Sequence, residues 1–105
     1  MRSTSKILLL TTLLAPFAAA KLHASGICVD FKNDIAVYNE AATKASCGNY
    51  RVRNTGGEQW DTCPDCEMKV IGNLNVCHSE GWHIGGDELN YYCEKINGAG
   101  ASMAD

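Results

Sequence analysis

The sequence predicts an α+β fold: a small disulfide-stapled antiparallel sheet of three to four strands with two helices packed on one face. Three observations carry this. The periodic segments run in the order β-α-β-β-β-α, with strands and helices segregated rather than strictly alternating. The chain has 105 residues and six cysteines, all of them after residue 20. A chain of this size buries a modest core and calls for staples.

Taking the elements in order, residues 1–20 read as a secretory signal peptide. Arg2 and Lys6 form a basic start, Ile7 to Ala15 an apolar run, and Ala18 and Ala20 the small residues at −3 and −1. Cleavage is expected after Ala20, with Ala24 as the alternative. The apolar run is too short for a membrane span, and no later segment could make one. Residues 21–105 then form a single cysteine-rich domain. Ile27 to Phe31 is a strand candidate. Asn33 or Asp34 reads as the N-cap of a helix from Ile35 to Cys47, with Tyr38, Ala41, Ala42 and Ala45 on one face and Gly48 as its left-handed end. Tyr50 to Arg53 alternates as a strand with Tyr50 and Val52 inward, and Glu58 to Cys63 reads as another. Met68 to Cys77 reads as a β-hairpin turning at Gly72-Asn73. Gly85-Gly86 interrupts the chain, Asp87 reads as an N-cap, and Glu88 complements the dipole of a helix carrying Leu89, Tyr92, Cys93 and Ile96 on one face and ending at Gly98. Residues 99–105 are expected to be mobile unless they add an edge strand.

Composition narrows the function. Losing residues 1–20 removes two of the 9 basic residues and no acid, so 7 face 12 and the net charge is −5. That charge disfavours nucleic acid and anionic membranes as partners. An even cysteine count in an exported chain reads as three disulfides among Cys28, Cys47, Cys63, Cys66, Cys77 and Cys93, with the pairing open among fifteen possibilities. The Cys63-Pro64-Asp65-Cys66 motif could be a redox dithiol or half of a zinc site with Cys77 and His78 or His83. However, Asp61, Asp65 and Glu67 raise thiol pKa values, a strand rather than a helix follows, and an oxidising compartment favours structural bridges. No metal and no cofactor are expected.

The hexapeptide His83-Ile84-Gly85-Gly86-Asp87-Glu88 resembles the catalytic signature of the retaining β-hexosaminidases. That resemblance implies an acetamido-orienting Asp and a proton-donating Glu at the end of a barrel strand. A (β/α)₈ barrel needs about 200 residues or more, so the capping reading of Asp87-Glu88 is preferred and no catalytic residue is assigned. A ribonuclease-like hydrolase is the alternative function. It would use Glu58 as base, His78 or His83 as acid and Arg51 or Arg53 to hold phosphate. Among the aromatics, Trp60 and Tyr92 read as core. Trp82 and His83, neighbours in a loop, are the candidate recognition residues, with Trp82 the best candidate for an exposed one.

The signal peptide, size, six cysteines and acidic mature chain resemble the small cysteine-rich secreted proteins of filamentous fungi, which include effectors and killer-toxin-like proteins. Ile84 to Leu89 and Gly98 to Ala101 are similar to the end of the fungal necrosis-inducing-factor domain, although this chain lacks the cysteine that follows there. The resemblance implies a secreted, non-catalytic binding protein at the host–pathogen interface, with a host protein or glycan as its partner.

Overall fold

The computed structural model describes residues 22–105; the expected signal peptide lies outside them. Among the described residues the fold is α+β, with two helices and two antiparallel sheets of two and five strands. The elements are β1 (Leu22–His23), β2 (Ser25–Lys32), β3 (Ile35–Tyr38), α1 (Glu40–Arg51), a 3₁₀ turn (Gln59–Asp61), β4 (Glu67–Ile71), β5 (Leu74–His78), β6 (Ile84–Gly85), α2 (Gly86–Tyr91), continued by a π-helical turn (Tyr92–Ile96), and β7 (Ala101–Ala104).

β2 is the centre of the larger sheet. Its second half pairs with β3 and its first residues with β5, which in turn pairs with β4. Val29 faces both Tyr38 and Ala101 in register, so β7 runs along the opposite edge of β2 from β3. The small sheet pairs Leu22 with Gly85 and His23 with Ile84. Side chains alternate along each strand. Gly26, Cys28, Met68 and Cys77 therefore share one face, and Ser25, Ile27, Val29, Phe31, Leu74 and Val76 share the other.

Both helices lie on the Cys28 face. The cysteines pair Cys28–Cys93, Cys47–Cys77 and Cys63–Cys66, and all six are buried. The first bridge ties β2 to the π-helical turn, and the second ties α1 to β5. Thr43 Oγ1 accepts from the Cys28 backbone N–H at 2.9 Å, which fixes α1 against β2. Tyr50, Ile84 and Leu89 are fully buried and complete the core with the sulfurs.

Several expected boundaries move. Asn33 and Asp34 are not caps. Both have positive φ (52° and 66°), the two-residue type I′ turn that joins β2 to β3. The β-branched Ile35 and Val37 then continue as strand. The true N-cap is Asn39, whose Oδ1 accepts from Ala42 N at 2.9 Å. The helix passes through Gly48 and ends at Arg51, so Tyr50 is the buried last turn of α1 rather than a strand residue, and Val52 is exposed instead of inward. Glu58 to Cys63 is not a strand but a 3₁₀ turn. Its start is closed by Glu58 N donating to Asp61 Oδ2 at 2.8 Å. The hairpin at Gly72-Asn73 is present, with Gly72 at φ +66°. α2 is capped by Gly85, with Asp87 in its first turn and making no cap bond. Ile96, expected on the inner face, is exposed because the last turn widens. The tail takes the edge-strand alternative as β7.

Candidate functional site

The loop between β5 and β6, Ser79 to His83, carries both residues singled out for recognition. Trp82 adopts φ +58° and is 53% exposed. A non-glycine residue in the left-handed region is uncommon and persists only where its surroundings hold it. Here they do. Trp82 N donates to Ser79 O at 3.1 Å, and Gln59 Nε2 donates to the carbonyls of both Gly81 (3.0 Å) and Trp82 (3.1 Å). The backbone of the loop is thus largely satisfied, while the indole is left outside.

Asp65 is the hub of this web. Its carboxylate accepts from Ser79 Oγ at 2.7 Å and from Gly81 N at 2.8 Å, and Ser79 Oγ in turn accepts from His83 N at 2.9 Å. Burial pushes the Asp65 carboxyl up, but the hydrogen bonds from Ser79 and Gly81, with the nearby His83 ring, outweigh it and hold the group below the usual carboxylate range. Asp65 lies between Cys63 and Cys66, whose bridge closes a four-residue turn. The C-x-x-C motif is therefore a covalent bracket for the loop. Its Cys66 sulfur also lies within 4.8 Å of the Cys47 and Cys77 sulfurs, so two disulfides stack in the core.

His83 faces inward. Its Nδ1 donates to Gln59 O at 2.9 Å, and its ring would lie 3.1 Å from a Cβ at Gly81. It braces Trp82 rather than standing beside it. From below, the Tyr50 hydroxyl donates to Trp60 O (2.6 Å), lies 3.2 Å from His83 O and accepts from Gly85 N (3.1 Å). Burial pushes the Tyr50 phenol up to about 12, so it stays a protonated donor.

The hexapeptide ends beside a second feature. Asp87 and Glu88, with Arg53, Thr55, Tyr91 and Tyr92, line an open cleft of about 380 Å³. The Arg53 guanidinium lies 5.7 Å from the Tyr92 ring centroid, and its Nε donates to Thr55 Oγ1 and Asp61 O. Glu88 folds back over Gly85. A Cβ there would lie 2.1 Å from Glu88 Oε1 and 2.9 Å from Trp60 Cβ, so the glycine is needed for packing.

The residues of the hydrolase alternative take other partners. His78 Nε2 donates to Glu80 Oε1 at 3.0 Å and its Nδ1 accepts from Ser25 Oγ at 2.9 Å, a cross-strand pair in the β2–β5 ladder. The His83 ring bonds to Gln59 O and the Arg53 guanidinium to Thr55 and Asp61, while Glu58 bonds to Asp61 through its backbone N–H. Arg51 is exposed at the end of α1. Sequence reasoning missed Asp65, Ser79, Gln59 and Tyr50 as supports. Their signal was only that polar residues flank cysteines and loops, which is common.

No described helix is long and apolar enough to cross a membrane. No curated protein and no solved structure matches the chain. Residues 21–103 match the family described as biotrophy-associated secreted protein 4 (BAS4), a family of secreted fungal effectors. With the match spanning the disulfide-stapled domain from end to end, the chain belongs to the BAS4 family.

Proposed function

We infer that this secreted effector acts without catalysis, by binding a host protein or glycan, with Trp82 as the anchor. The observation that carries this is an exposed indole held at positive φ on a loop whose backbone is tied to Asp65, Ser79 and Gln59. Tryptophan is enriched among residues that dominate binding energies, and a preorganised anchor loses little conformational freedom on contact. His83 supports the anchor through Gln59 and is a positioning residue. Against the ribonuclease-like alternative stands the hydrogen bonding of the His78, His83 and Arg53 side chains, which gives these groups other partners.

The test is saturable binding of the fluorescently labelled mature protein to intact host cell walls and plasma membranes, competed by unlabelled protein. Trp82→Ala should compete at least about tenfold more weakly, the effect of losing a hot spot, while keeping its thermal midpoint. Equal competition by Trp82→Ala sinks the anchor. Turnover of RNA or chitin oligomers that disappears in His78→Ala, His83→Ala or Glu88→Ala overturns the non-catalytic reading.

A further inference from the structure

The face of the five-stranded sheet turned away from the helices is apolar, with Val29 and Val76 buried within it, Ile27 and Leu74 half-buried, and Phe31, Ile71 and Met103 exposed around them. Antiparallel sheets with one face to water ordinarily alternate apolar-in and polar-out. Here the outward positions of β2 are Ser25, Ile27, Val29 and Phe31, and those of β5 are Leu74, Val76 and His78. Phe31 is 57% exposed, Met103 54% and Ile71 45%. A groove of about 230 Å³ opens among Ile27, Leu74, Val76 and Met103, with Asp105 at one end. Contiguous exposed apolar surface rimmed by polar groups marks an interaction site.

The charges on this face and its rim select the partner. Glu67 and Lys69 point to this side from β4, Glu80 is tied to His78, and Asp105 ends the groove. With histidines neutral, these four groups sum to −2. The mature chain carries −5, so a second copy or an anionic bilayer approaches against repulsion. We propose that this sheet face docks a basic amphipathic segment of a protein partner, apolar side chains in the Ile27–Met103 groove and lysine or arginine beside Glu67, Glu80 and Asp105. This rests on surface separate from Trp82 and stands whether or not Trp82 is an anchor.

The test is an NMR titration of the ¹⁵N-labelled mature protein with synthetic amphipathic peptides of about 14 residues. One is built of Leu and Lys, a second of Leu and Glu, and a third replaces Leu by Gln in the Lys peptide. The Leu/Lys peptide should shift the amides of Ile27, Leu74, Val76 and Met103. It should bind about tenfold or more tighter than either control and weaken severalfold between about 50 mM and about 500 mM salt. Met103→Lys, which removes apolar contact and one unit of the charge contrast, should weaken it about tenfold. Glu67→Gln with Glu80→Gln should weaken it without touching the apolar groove. Trp82→Ala should leave it within about twofold. Equal binding of the Leu/Lys and Leu/Glu peptides, shifts confined to Ser79 to His83, or loss with Trp82→Ala equal to that with Met103→Lys would each overturn the proposal. So would a dimer seen by sedimentation, or amide shifts at the groove with zwitterionic vesicles, in the absence of peptide. If Met103→Lys lowers the thermal midpoint, the Glu67→Gln, Glu80→Gln pair decides alone.

Discussion

Leu89 occupies the space that a side chain at residue 26 would need: a Cβ built on Gly26 lies 2.4 Å from Leu89 Cδ2 and 3.3 Å from Met103 O. Leu89 is fully buried and has nowhere to retreat, so α2 can press onto β2 only because position 26 is bare. Gly26→Ala should cost about 2 kcal/mol through overpacking. It should lower the thermal midpoint by roughly 10 °C, read by circular dichroism. An unchanged midpoint would mean that the helix is free to shift.

Asp65 makes the Ser79 to His83 loop sensitive to acid. Its folded-state pKa is lowered, so its contribution is complete above the unfolded value of about 3.9 and is lost as pH falls through the lower folded value. The Gly81 amide should be protected from hydrogen exchange at pH 6 and lose protection only below about pH 4. In Asp65→Asn the protection should be weaker and independent of acid. Acid-insensitive exchange in the parent protein would remove Asp65 from the hub.

The three bridges should differ in weight. Their sequence separations are 65 for Cys28–Cys93, 30 for Cys47–Cys77 and 3 for Cys63–Cys66. Loop-closure entropy gives about 4, 3.5 and 2 kcal/mol respectively. Paired Cys→Ala variants should therefore lose stability in that order in denaturant titrations. The Cys63, Cys66 variant should stay folded yet bind host surfaces like Trp82→Ala, because it releases Asp65. Full binding by that variant would separate the bracket from the loop.

The leader should be cut after Ala20. Cleavage after Ala24 would delete β1 and the carbonyl of Ala24 that accepts from Ser79 N at 2.8 Å. Intact-mass measurement of the secreted protein should give Lys21 as first residue. A chain starting at Ser25 should be less stable by about 1–2 kcal/mol for the lost strand pairing and loop anchor.

What could be read from the sequence was what is local. The Met68 to Cys77 hairpin is specified by its own turn and alternation, and the six cysteines of an exported chain announced three bridges. Asn33-Asp34 misled because the same residues that cap helices also accept positive φ in hairpin turns, and only Val29's pairing with Tyr38 decides between the two. Tyr50 to Arg53 alternated by chance, since a helix end and a short strand share such spacings. β1 and β6 are two residues each and owe their pairing to contacts 63 positions apart, as Leu22 and Gly85 show. For the site, a glycine neighbour and loop composition located Trp82, but its backbone conformation and the Asp65–Ser79–His83 web exist only once the Cys63–Cys66 turn lies against the loop.

That bracket also bears on how such a protein changes over generations. The indole is anchored to a covalent turn, and the hydrogen bonds that shape its loop run to backbone groups and to Asp65, Ser79 and Gln59. Position 82 itself contributes only a backbone N–H and carbonyl to that frame. An unbranched side chain can therefore be exchanged at this position without disturbing the sheet, whereas a β-branched one would meet the strain of a positive φ, so variation of this exposed point is separable from inheritance of the fold.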